Sequence, residues 1–168
     1  MTTLKIYVGT YHKYNCGNLR GRWLDLPMNE NELDEALNWI AEGEESPEFM
    51  IQDYESDYLK VDECENIHEL NEQAQKVADL YNGDLMKLKA YIERGYNLAE
   101  ALEKVESGDG YFIEAQTKED LAYSYIDEVY GYVSNLDKET LARYFDFEAF
   151  GRDLAFDATQ TDDGFLFD

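Results

Sequence analysis

Positive charge is what this chain has least of. Its 168 residues hold 14 Lys and Arg against 38 Asp and Glu, a formal net charge of −24. Such a chain repels DNA, RNA and anionic membranes, which excludes them as direct ligands. Cysteine is scarce too. Cys16 and Cys64 are too few for a disulfide framework. One bridge between them stays open, with two reduced thiols the favoured state. No apolar run approaches the roughly 20 residues that span a bilayer. The opening MTTLKIYVG lacks the apolar core of a signal peptide. A cytoplasmic protein is expected. Apolar residues, by contrast, are not lacking: 44% of the chain is hydrophobic, with 14 Tyr, 8 Phe and 2 Trp. Disordered acidic tails are poor in such residues, so this chain is expected to fold.

The acids are unevenly spread. Met1–Met28 is mildly basic, with Lys5, Lys13, Arg20 and Arg22 against Asp25. No Lys or Arg occurs from Asn29 to Leu59, which holds Glu30, Glu32, Asp34, Glu35, Glu42, Glu44, Glu45, Glu48, Asp53, Glu55 and Asp57. The stretch from Lys60 to Val105 is mixed, and acidity returns from Glu106 onward.

Periodicity predicts an α+β fold in three small units: 1–60, 61–108 and 109–168. In the first, Lys5–Val8 alternates as a strand. Tyr11–Asn18 reads as a loop, Leu19–Leu26 as a second strand and Phe49–Tyr54 as a third. A helix from Glu30 to Glu42 sets Leu33, Ala36, Leu37 and Ile40 on one face. The order is β-β-α-β. The middle unit reads as three helices. Asn66 starts one whose face is Leu70, Ala74, Val77 and Tyr81, with Gly83 as its stop. Asp84 and Asn97 start the others, stopped by Gly95 and Gly108. In the last unit Tyr111–Ala115 reads as a strand. Thr117 caps a helix to about Tyr130, and Asp137 caps another through Phe145. Phe147–Leu154 reads as one helical turn, and Thr159–Phe167 as a strand turning at Asp163-Gly164. With no Pro- or Ser-rich linker, the units are expected to pack end to end.

Catalytic signatures are absent. The sequence has no phosphate-binding loop, no G-x-S-x-G, no H-E-x-x-H and no C-x-x-C. His12 and Cys16, with Cys64 and His68, supply four zinc-type ligands, but no recognised spacing is matched and coincidence is the preferred reading. Gln160–Gly164 is a poor calcium loop and a better hairpin turn. No enzyme activity, cofactor or metal is expected. What remains is the carboxylate surface itself. Soluble proteins normally intersperse both signs, whereas Asn29–Leu59 carries one. Duplex DNA bears one charge per about 1.7 Å of axis. At that density 24 charges match roughly 40 Å of duplex, about a dozen base pairs. A basic DNA-binding groove is attracted to such a surface as it is to DNA.

Three segments carry a family resemblance. They are Ile6–Pro27 (IYVGTYHKYNCGNLRGRWLDLP), Phe49–Leu59 (FMIQDYESDYL) and Leu141–Leu154 (LARYFDFEAFGRDL). Together, and in this order, they resemble the ArdA family of antirestriction proteins. The resemblance implies an elongated, three-part protein that dimerises through its C-terminal part. It also implies occupation of the DNA groove of type I restriction–modification enzymes. The family's antirestriction motifs sit near Leu136–Asp146.

The reading is therefore a non-catalytic inhibitor in the host bacterial cytoplasm, partnered by a type I methyltransferase core and by itself. The acids expected to stand in for phosphates are Glu30, Glu32, Asp34, Glu35, Asp53, Glu55, Asp57, Glu119, Asp120, Asp127, Glu128, Asp146 and Glu148. The aromatic cluster Tyr144, Phe145, Phe147 and Phe150 reads as core, with a dimer interface as the alternative. Arg20 and Arg22 are expected to tie the second strand to the acidic helix. Arg143 and Arg152 are expected to pair with nearby acids, and Gly151 to permit a bend or close packing. The rival readings are an acidic adaptor or chaperone for basic proteins and a halophilic enzyme.

Overall fold

The computed structural model describes residues 4–130 and 138–168. It is α+β, with helices and two small antiparallel sheets in two compact units, Met1–Leu80 and Tyr81–Asp168.

In the first unit, β1 (Leu4–Thr10) is the central strand, flanked by β2 (Arg22–Leu26) and β3 (Phe49–Ser56). Both pairings are antiparallel, and a bulge at Tyr7/Val8 shifts the register of β3. Alternation along β1 sends Leu4, Ile6 and Val8 into the core, with Leu24, Leu26 and Ile51 beside them. The helix α2 (Glu30–Ile40) covers this face with Leu33, Ala36, Leu37 and Ile40. The helix α3 (Ile67–Ala78) adds Ile67, Leu70, Ala74 and Val77. Segment 11–18, expected as a loop, begins with a short helix, α1 (Tyr11–Asn15), because the Thr10 side chain accepts from the Lys13 amide as its cap.

The second unit opens with α4 (Asn82–Arg94) and α5 (Leu98–Ser107). Gly95 and Gly108 end them in left-handed conformations, as expected. Asn97 and Glu100 form a reciprocal capping box. Two expectations fail here. Gly83 lies inside α4 rather than stopping the preceding helix, which ends at Ala78. Tyr81 is the residue before α4 and is 84% exposed, so it is no part of the α3 apolar face. α3 lies within the first compact unit, and α4 and α5 within the second.

The second sheet has the order β4-β6-β5, from β4 (Tyr111–Glu114), β5 (Thr159–Gln160) and β6 (Gly164–Phe167). The β5–β6 turn is the hairpin expected at Asp163-Gly164. Ile113, Ala115, Leu121, Phe165 and Phe167 form a buried cluster against this sheet. Three helices accompany it: α6 (Lys118–Tyr130), α7 (Lys138–Ala142) and α8 (Phe147–Leu154). The last is two turns long rather than one. The expected cap at Asp137 lies outside the described residues. Gly151 serves close packing: a Cβ there would overlap the Lys118 carbonyl oxygen, so α8 rests directly on the backbone of α6.

Candidate functional site

The acidic helix α2 is built for self-repulsion. It carries Glu30, Glu32, Asp34 and Glu35 and no cation of its own. Asn29 caps it by accepting from the Asn31 amide, and the first-turn acids suit the positive end of the helix dipole. Its ends are held by residues from elsewhere in the unit. At the start, the buried Asn71 amide donates to the Met28 carbonyl (2.9 Å) and to Glu30 Oε1 (2.8 Å). The same side chain accepts from the Met28 amide (2.7 Å). His68 places Nδ1 3.2 Å from Glu30 and Nε2 3.7 Å from Asp34. The Asn71 donation, and then that of His68, hold Glu30 below the usual carboxylate range.

At the other end, buried Lys13 donates to the carbonyls of Ile40 (2.6 Å) and Glu42 (3.0 Å). It also pairs with Glu44 at 2.9 Å. The Thr10 hydroxyl donates to Glu44 at 2.7 Å. That bond first, and Lys13 second, keep the Glu44 carboxyl below its ordinary value. Arg20 reaches Glu42 at 2.6 Å and lies 4.3 Å over the Trp39 ring. The expected tie from Arg20 to the helical segment is therefore present. For Arg22 no ion pair occurs among the described residues. So the basic N-terminal segment supplies countercharge to the end of α2, and the outward acids Glu32 and Glu35 make no ion pair among the described residues.

Asp53 and Glu55 project from the opposite layer. Cross-strand pairing sets Asp53 beside Tyr7 and Trp23, and Glu55 beside Lys5 and Asp25, on the sheet face not covered by helices. The first unit thus displays acids from two sides, the outer side of α2 and the open sheet face. Asp57 follows β3 and is exposed.

In the second unit, Glu119, Asp146 and Glu148 come together. They line an open hollow of about 490 Å³ with Arg143, Tyr144 and Phe145. Asp146 also caps α8 by accepting from the Ala149 amide. Asp120 bonds Thr117 at the start of α6. Asp127 and Glu128 sit two turns further along, about 12 Å from Glu119 by helical rise. The expected aromatic cluster divides: Phe147 is buried and Phe150 half-buried, but Tyr144 is 87% exposed and Phe145 39%. Core packing therefore accounts for Phe147 and Phe150 and not for Tyr144. Arg152 lies 3.5 Å from its neighbour Asp153.

Both cysteines are free. His68 faces α2 carboxylates, and among the described residues no group of three or more His, Cys, Asp and Glu is placed to hold a metal ion. Among those residues no helix is long and apolar enough to cross a membrane.

A family model for the antirestriction protein ArdA matches residues 6–167, nearly the whole chain. The chain belongs to the ArdA family. No curated protein matches it. ArdA membership carries antirestriction as the function and restriction enzymes, in general terms, as the system acted on. ArdA is a family of inhibitors and not a known enzyme family.

Two residues of the site escaped the sequence reading, Asn71 and Lys13. Asn71 had a signal, because it falls at helical spacing with Ile67 and Ala74 on the buried face of α3. Lys13 had none, since its segment resembles a polar loop.

Proposed function

We propose that this ArdA protein inhibits type I restriction–modification enzymes by imitating DNA and occupying the DNA groove of their methyltransferase core. One observation carries the proposal: the cations near α2 are engaged at its ends, while eight exposed carboxylates make no ion pair among the described residues. Glu32, Glu35, Asp53, Glu55, Glu119, Asp127, Glu128 and Glu148 are of this kind. With Glu30, Asp34, Asp57, Asp120 and Asp146 they form the proposed set of phosphate substitutes. Like phosphates, they present fixed negative charge to a cationic groove.

On this reading the protein acts without catalysis or cofactor, in the cytoplasm, as a homodimer. Of the cluster Tyr144, Phe145, Phe147 and Phe150, Tyr144 and Phe145 are the members exposed enough for a dimer contact. The test is a gel-shift competition. Protein added to a preformed complex of DNA and a type I methyltransferase should release the DNA at stoichiometric concentration. Failure to release DNA at large excess in low salt contradicts the proposal.

A further inference from the structure

Two enclosed polar side chains around α2, Asn71 and Lys13, face its ends rather than any external ligand. Asn71 is 3% exposed and Lys13 is 8% exposed. Asn71 fixes the entry by three hydrogen bonds, to both backbone groups of Met28 and to Glu30. Lys13 fixes the exit by bonds to Ile40 and Glu42 and by its pair with Glu44. A cation at the last carbonyls is what the negative end of a helix dipole favours, and α2 has none in its own last turn.

We propose that Lys13 and Asn71 are positioning residues for inhibition: locked at both ends, α2 presents its outward acids at fixed places to the partner. This rests on the DNA-mimic reading. Its physical content is pre-organisation, since side chains already held in the bound arrangement lose less freedom on association. Neither residue touches the partner.

The charge argument and the positioning argument make opposite predictions. Lys13→Met adds one unit of negative charge to the protein, and Asn71→Leu leaves the charge unchanged. If net charge alone decides binding, both variants should bind a type I methyltransferase as tightly as the wild type or slightly more tightly. Positioning predicts dissociation constants about tenfold weaker, the size expected when two or three carboxylate side chains must be ordered anew.

The measurement is competition against DNA with the full-length protein, well below each variant's melting temperature. The active concentration is fixed by stoichiometric titration, and the folded fraction, read from a melt at the same temperature, corrects the apparent constant. Lys13→Arg keeps a donor and a cation at the helix end and should recover most of the loss. Hydrogen exchange of α2 amides should quicken in Lys13→Met and return in Lys13→Arg. Should Lys13→Met fail to fold, Asn71→Leu carries the comparison, since net charge alone predicts wild-type binding for it. Wild-type binding with an unweakened constant in a folded variant overturns the positioning role alone. A wild type that never displaces DNA overturns the DNA-mimic reading and this one with it.

Discussion

Replacing Gly151 by alanine should damage the second unit, whereas the same replacement at Gly83 should not. At Gly151 the added Cβ would overlap the carbonyl oxygen of Lys118 and lie 3.3 Å from the Ala122 Cβ. The obstructing atom is backbone, in the first turn of α6, and cannot swing aside as a side chain does. The two helices must separate or α8 must tilt. Overpacking of this kind costs about 1–3 kcal/mol. For a unit the size of Tyr81–Asp168, 1 kcal/mol moves the melting temperature by roughly 4–8 °C. Thermal unfolding followed by circular dichroism should therefore show Gly151→Ala melting roughly 4–24 °C below the wild type. At Gly83 a Cβ would meet nothing within 4 Å, and the residue lies in the first turn of α4. There alanine should be neutral or stabilise by up to about 1 kcal/mol, chiefly by restricting the unfolded chain. A Gly151→Ala protein melting within a degree of wild type would refute the direct packing of α8 on the α6 backbone.

Asp168 is held by Arg94 (2.6 Å), Lys104 (2.7 Å) and the Tyr96 hydroxyl (3.2 Å). The Lys104 bond is the largest cause of its lowered pKa, so its stabilisation is complete above the ordinary carboxylate range and is lost as pH falls through the lowered value. Asp168→Asn should lower the melting temperature at pH 7 and make little difference near pH 2, as a pH series of melts will show. Asn97→Ala removes the side-chain half of the capping box, the acceptor of the Glu100 amide, and should cost about 1 kcal/mol, read from urea unfolding. Inhibition should weaken steeply as salt rises from 50 to 300 mM, because exposed charges separated by more than about 10 Å are screened at 0.1 M.

How much of this was legible in the sequence follows from where the forces act. Strands β1 to β3 and helix α2 are visible because alternation and helical spacing record which face is buried. Gly95, Gly108 and the start at Asn97 mark helix ends through local backbone chemistry that needs no partner. Gly83 misled because a glycine is a stop only where the chain turns left-handed, and no left-handed turn occurs at it. Segment 11–18 misled because α1 is short with little apolar pattern, and its burial of Lys13 depends on residues far along the chain. The acidic character of the surface was evident from composition. That α2 and β3 put their acids on opposite layers was not, because the layer is decided by tertiary packing and by the bulge at Tyr7/Val8.

The central claim is that many exposed carboxylates together act as a substitute for phosphates. The most direct test is competition against DNA for a type I methyltransferase by the wild type, by single amide variants and by one protein carrying all eight changes. The eight are Glu32, Glu35, Asp53, Glu55, Glu119, Asp127, Glu128 and Glu148, each to its amide, which brings the net charge from −24 to −16. Each single change should weaken binding by less than about fivefold, the range of an exposed ion pair, and the combined protein should no longer release DNA at stoichiometric concentration. A combined variant that competes as well as wild type, or one single change that abolishes competition, would contradict the account.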